Sequence, residues 1–264
     1  MIPYIETMKG AFDLKGKSAI VTGGNGGIGL GIAKALAECG ANIAIFCRNM
    51  DKAKVALEEL SEYGGKYKAF SCDIVDMKSC IAAAEAAFKE FGNIEILVNN
   101  SGVASAGKFL DMDETLKDWK FVIDTDLTGV AHVTYAVGRL MRDAGKGGSI
   151  INITSNAGSI VNKGIGMSPY SVAKAGANHF TRCMAVEFGE HDIRVNAIAP
   201  GFTRAGFGAN PHPMMLEMVK AQQPLKRMGE AIEIGSLTVF LASPASAHMT
   251  GEVITVDGGY TLSC

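Results

Sequence analysis

Short apolar runs rich in Val, Ile and Ala recur along the chain: SAIVT (18–22), NIAIF (42–46), YKAFSC (67–72), IEILVNN (94–100), SIINIT (149–154), IRVNAIA (193–199) and EVITV (252–256). Helix-length stretches separate them. Two of these, DKAKVALEEL (51–60) and SCIAAAEAAFKEF (79–91), carry apolar residues at helical spacing with charges outside. Strands that are apolar almost throughout have no solvent face, so helices must cover both sides of the sheet they form. The pattern predicts an α/β protein, a Rossmann-type doubly wound parallel sheet of about seven strands. No repeat, charge block or low-complexity linker divides the 264 residues, so 1–264 reads as a single domain. The one appendage is a loop-rich insert at about 201–228, expected to cover a site.

Charge narrows the range of partners. The 25 basic residues nearly balance 27 acidic ones, so no long-range field favours nucleic acid or an anionic membrane. The six cysteines form no C-x-x-C pair, which argues for reduced thiols and against structural zinc. The first residues lack the apolar run of a signal peptide, and no stretch approaches the roughly 18 apolar residues of a spanning helix. A soluble, cytoplasmic protein is expected.

After the first strand comes Thr22-Gly23-Gly24-Asn25-Gly26-Gly27-Ile28-Gly29, followed by the helix-forming LGIAKALAECG. Strand, glycine turn and helix in that order let backbone approach a pyrophosphate, while the helix N-terminus offers free N–H groups and a positive dipole end. The spacing G-x-x-x-G-x-G differs from the commonest dinucleotide fingerprint. The second strand ends Phe46-Cys47-Arg48-Asn49, with no carboxylate before Asp51, which reads as the start or cap of the next helix. Sheets that prefer NAD place an acidic residue there, whereas an arginine accommodates a 2′-phosphate, so Arg48 favours NADP over NAD.

Tyr170-Ser171-Val172-Ala173-Lys174 opens a predicted helix, and positions i and i+4 share a face. A tyrosine ionises near pH 10 when unperturbed; a neighbouring ammonium favours its phenolate and suits it to acid–base work. Ser155, at the end of a strand, is placed to hydrogen-bond a developing alkoxide.

Through TGGNGGIG, Asp73 in SCDIVD, NNSG (99–102), Ser155, YSVAK and APG (199–201), the chain resembles the short-chain dehydrogenase/reductase family over essentially its whole length. The resemblance implies a nicotinamide cofactor held by Gly23, Asn25, Gly27, Ile28, Gly29 and Arg48, with Asp73 and Ile74 at the adenine. It implies that Asn99 closes the adenine-ribose side beside Ser101 and Gly102, and that Lys174 holds the nicotinamide ribose hydroxyls. Pro200, Gly201 and Thr203 would border the nicotinamide. A ketone and a secondary alcohol would interconvert, with Tyr170 exchanging the proton. A homo-oligomer, a tetramer by preference, is also implied.

The family's tetrad usually has an asparagine where this chain has Asp126, in DTDLTG. The family residue helps hold a water between its main chain and the lysine; a carboxylate there would favour the charged ammonium and compete for it. Ser155 and Tyr170 are slightly farther apart than in the family, suggesting a small insertion in the loop 158–167. In the insert, Phe202, Phe207, Met214, Met215 and Met218 fit either a lid over an apolar substrate or a short helix packed on the domain. Arg204 could anchor a substrate carboxylate, and His212 stands between two prolines. A sugar acid or polyol is the first substrate expectation. A hydroxysteroid or 3-oxoacyl substrate is the alternative, and a non-catalytic NADP-binding regulator is the rival class.

Overall fold

The computed structural model describes residues 10–104, 107–162 and 166–263. Its strands are β1 (Ser18–Thr22), β2 (Asn42–Cys47), β3 (Tyr67–Ser71), β4 (Ile96–Asn99), β5 (Gly148–Ile153), β6 (Ile193–Pro200) and β7 (Val253–Val256). They form one seven-stranded sheet in the order β3-β2-β1-β4-β5-β6-β7, every neighbouring pair parallel. The apolar runs thus become strands at or within two residues of their expected ends.

Helices α1 (Gly27–Glu38), α2 (Met50–Leu60), α3 (Met77–Phe91), α4 (Lys117–Ile123), α5 (Gly129–Ala144), α6 (Ser168–Phe188), α7 (Pro213–Gln222) and α8 (Ala231–Ala242) fill the connections. Alternate strand residues feed two cores. Ala19, Val21, Ile43, Ile45, Ile96 and Val98 pack on one face with residues of α1, α2 and α8. On the other, Ile20, Ala44, Phe46, Leu97 and Ile150 pack with α3 and α5. Burial on both faces is what near-continuous apolar strands require. Small residues bring α1 against α8: a Cβ on Gly31 would lie 2.5 Å from the Ala231 Cβ.

Two connections position the site. The strand order reverses on either side of β1, where β2 and β4 diverge, and a crevice opens there at the carboxyl ends of the strands. Between α4 and α5 the chain makes one π-helical turn, Asp124–Thr128, closed by the Gly129 N–H donating to the Asp124 carbonyl. A π turn inserts an extra residue into a helix and rotates the side chains around it. Here it buries Asp126 completely. Asp51 does not cap α2; Asn49 does, its side chain accepting the Lys52 N–H at 2.9 Å, and Asp51 sits in the first turn. Among the described residues, no helix is long and apolar enough to cross a membrane.

Candidate active site

The glycine turn delivers the chain from β1 into α1. Gly27 has φ +56°, and a Cβ there would lie 3.0 Å from the backbone of Gly206, so the 201–228 segment descends onto the turn. Gly29 faces away from the crevice and is needed for close approach: its Cβ would lie 2.4 Å from the Gly23 carbonyl oxygen. No side chain caps the start of α1. The first N–H groups of the helix are therefore left for a ligand, and Gly23, Asn25, Gly27 and Ile28 line the crevice beside them. Asn25 braces the turn by donating to the Asn49 carbonyl at 3.2 Å.

From this turn an elongated cavity of about 830 Å³ runs across the carboxyl ends of the strands. Arg48, Asn49 and Lys52 line it at the end of β2, and Asp73 and Ile74 after β3. The only sequence signal for Lys52 is its place one turn after Arg48 on a capped helix. Ser101, Gly102, Pro200, Gly201 and Thr203 also line the cavity. Asn99 does not. Its side chain is buried on the far side, donating to Thr134 Oγ1 and Asn152 Oδ1 at 2.9 Å each, because successive residues at a strand end point to opposite faces. Asn100 takes the lining position, its amide tied to the Thr22 carbonyl at 2.9 Å.

Ser155, Tyr170, Lys174 and Asp126 all line the same cavity. Ser155 follows β5; its Oγ accepts the Ala157 N–H at 3.1 Å, and its hydroxyl donates to Asn156 Oδ1 over a long 3.5 Å. Tyr170 stands in the first turn of α6, with Pro169 beside it at the helix start. One turn on, the Lys174 Nζ lies 5.5 Å from the centre of the Tyr170 ring. The ammonium is buried, donates to the Ile153 carbonyl at 3.3 Å, and lies 3.1 Å from Asp126 Oδ2. That last contact is an ion pair without the alignment of a hydrogen bond, whereas Asp126 Oδ1 accepts the Val103 N–H at 2.7 Å. Burial presses the Lys174 pKa down, but the charges of Asp126 and Tyr170 outweigh it and hold it above its ordinary value.

Asn156, Asn162, Phe121, Met167, Phe202 and Met215 complete the wall around this end. Of these, Phe202 and Met215 belong to the insert whose sequence fits either a lid or a packed helix, and Met215 both lies on α7 and reaches the cavity; Asn156 carries no sequence signal beyond following Ser155. Met218, Arg204 and His212 do not line the cavity; Arg204, one candidate for a substrate-carboxylate anchor, is instead an exposed loop cation that pairs with Glu230 at 3.3 Å. The side chains of Phe207 and Met214, and residues 163–165 of the suspected insertion, lie outside the described residues.

A glycine turn at a helix start, a topological switch point and a serine, tyrosine and lysine on one cavity wall define a dinucleotide-dependent oxidoreductase of carbonyl and alcohol groups. A family model described as enoyl-(acyl carrier protein) reductase matches residues 23–261. The chain is 38% identical over 252 residues to sorbose reductase SOU1 of Candida albicans, covering 95% of this chain and 89% of that protein. To the NADP-dependent mannitol dehydrogenase of Alternaria alternata it is 35% identical, covering 99% and 98%. A short-chain type dehydrogenase/reductase from Mycobacterium marinum superposes with a TM-score of 0.92 at 38% identity, covering 97% of this chain and 99% of that one. The chain belongs to the short-chain dehydrogenase/reductase family and is an NAD(P)-dependent oxidoreductase.

Proposed function

We propose that this enzyme reversibly reduces a ketone to a secondary alcohol with NADP, and that its substrate is a ketose or polyol. The observation that carries the reading is one cavity with an uncapped helix start and glycine turn at one end and Ser155, Tyr170 and Lys174 at the other. The residues present fit the cofactor. Gly23, Asn25, Gly27 and Ile28 would hold the pyrophosphate, Asp73 and Ile74 the adenine, and Asn100, Ser101 and Gly102 the neighbouring ribose. Pro200, Gly201 and Thr203 would border the nicotinamide, and Lys174 would hold its ribose hydroxyls.

A bound nicotinamide supplies a hydride in reduction and accepts one in oxidation. Tyr170 gives its phenolic proton to the substrate oxygen, or takes it back. Ser155, its Oγ already accepting the Ala157 N–H, turns its own proton to the same oxygen and steadies the charge that builds there. The segment 201–228 acts as a lid: Phe202, Thr203, Met215 and Met228 reach the cavity from it and exclude water.

Arg48 and Lys52, both exposed and both lining the cavity, support NADP through a 2′-phosphate. Asn156 and Asn162 bring amides to the substrate end, suited to hydroxyl groups, and sorbose reductase and mannitol dehydrogenase are among the relatives. With Arg204 committed to Glu230, a neutral sugar suits the wall better than a sugar acid. Balanced charge and the free thiols of Cys39, Cys47, Cys72, Cys80 and Cys183 support a cytoplasmic enzyme. A homotetramer is supported by exposed apolar residues on the long outer helices, Tyr135 and Val186 among them. The substrate reading is tested by comparing kcat/KM on ketoses, steroid ketones and 3-oxoacyl esters; a preference for either apolar class would refute it.

A further inference from the structure

We propose that Asp126 is a positioning residue that cancels the charge of Lys174 and thereby sets the pH range over which Tyr170 exchanges its proton. This rests on the proposed roles of Tyr170 and Lys174. The pair is buried at both ends, with side-chain exposures of 5% for Lys174 and 0% for Asp126, so water screens it little. Asp126 is fixed from the other side by the Val103 N–H, and the π turn of Asp124–Thr128 holds it there. Gly102 makes room: a Cβ on it would lie 3.0 Å from Asp126 Oδ2 and 3.3 Å from Lys174 Nζ.

An isolated ammonium beside a phenol favours the phenolate; an ammonium with a carboxylate 3.1 Å away presents its neighbour with a dipole whose field falls off faster. The charged groups on the elements packed against α6 are Asp124 and Asp126 on the π turn, Lys117, Asp118 and Lys120 on α4, and, beyond its far end, Glu190 and His191 on the turn that follows it and Arg194 at the amino end of β6. Arg194 is engaged with the Leu241 carbonyl and Ser246, away from the cavity. Of the whole set, Asp126 is the one that acts on Lys174.

The variant Asp126→Asn keeps an oxygen for the Val103 N–H and removes the charge. In the variant the Ile153 carbonyl and the charge of the phenolate itself keep Lys174 protonated against its burial; the lysine then acts uncompensated on the phenol, and the rise of kcat with pH for alcohol oxidation should move down by about one to two pH units. The same displacement should appear without cofactor or substrate, in the ultraviolet difference titration of phenolate between each protein and its Tyr170→Phe counterpart. Asp126→Ser, also neutral, should displace both curves in the same direction and serves if the asparagine variant folds poorly. Curves that coincide with those of the native protein, or that move to higher pH, would overturn the proposal. Failure of the underlying reading looks different: native turnover would survive Tyr170→Phe whatever the residue at 126.

Discussion

Tyr170, Ser155 and Lys174 were legible in the sequence because each stands in a motif whose spacing already implies its geometry, one helical turn for the pair and a strand end for the serine. Asn99 was not, since NNSG does not say which of two adjacent asparagines faces the crevice; the pleat decides, and it turns Asn99 toward Thr134 and Asn152. Asn156 and Lys52 were missed because a polar residue next to a motif looks like any surface residue until the fold brings it to a wall. At this scale cofactor choice is directly testable. Arg48→Ala and Lys52→Ala should each weaken NADPH binding about tenfold, the worth of one charge-assisted hydrogen bond, and leave NADH nearly unchanged. Equal losses for the two cofactors, read by fluorescence titration, would show that neither side chain meets a 2′-phosphate.

The strands were the most readable elements, because burial on both faces forces a run of apolar residues with few substitutes. The π turn between α4 and α5 was unreadable: nothing in DTDLTG marks the extra residue, which arises where Gly129 packs against Ile74, a Cβ there lying 2.9 Å from the isoleucine side chain. The turn between β1 and α1 makes its own prediction. Gly29→Ala would push a methyl group into the Gly23 carbonyl, so it should abolish cofactor binding or lower the melting temperature by several degrees. An unchanged variant would show that the turn yields without cost.

At the start of α8, Glu230 and Glu233 form a reciprocal cap, and Arg227 pairs with Glu233 at 2.6 Å. Arg227 first, then the Glu230 N–H, hold the Glu233 carboxyl down to about 2. A depressed carboxylate contributes stability above the unfolded value near 4.3 and loses it as the pH falls toward 2. Glu233→Gln keeps an oxygen for the Glu230 N–H but loses the charge paired with Arg227, so it should lower the melting temperature by about a degree or two at neutral pH, and the gap to the native protein should close as the pH falls to about 2. A gap that stays constant with pH would assign the effect to packing.

For the molecule as a whole, the doubly wound sheet followed from alternating apolar strands and amphipathic helices, and the reversal of strand order at β1 then fixed where a ligand could lie. The substrate did not follow, because it depends on wall residues gathered from α4, the loop after β5 and the insert, which lie far apart in sequence. Assembly belongs to this scale too: light scattering of the purified protein should give four times the 27.7 kDa chain mass, and a monomer at micromolar concentration would contradict the proposed tetramer. Fold and site converge on a ketone reduced at Ser155 and Tyr170 in the cavity that begins at the glycine turn. This reduction is tested most directly by the consumption of NADPH in the presence of L-sorbose or D-fructose, with Tyr170→Phe run beside the native protein. Turnover should fall about a hundredfold or more in the variant while NADPH still binds. Equal turnover in the two proteins would contradict it.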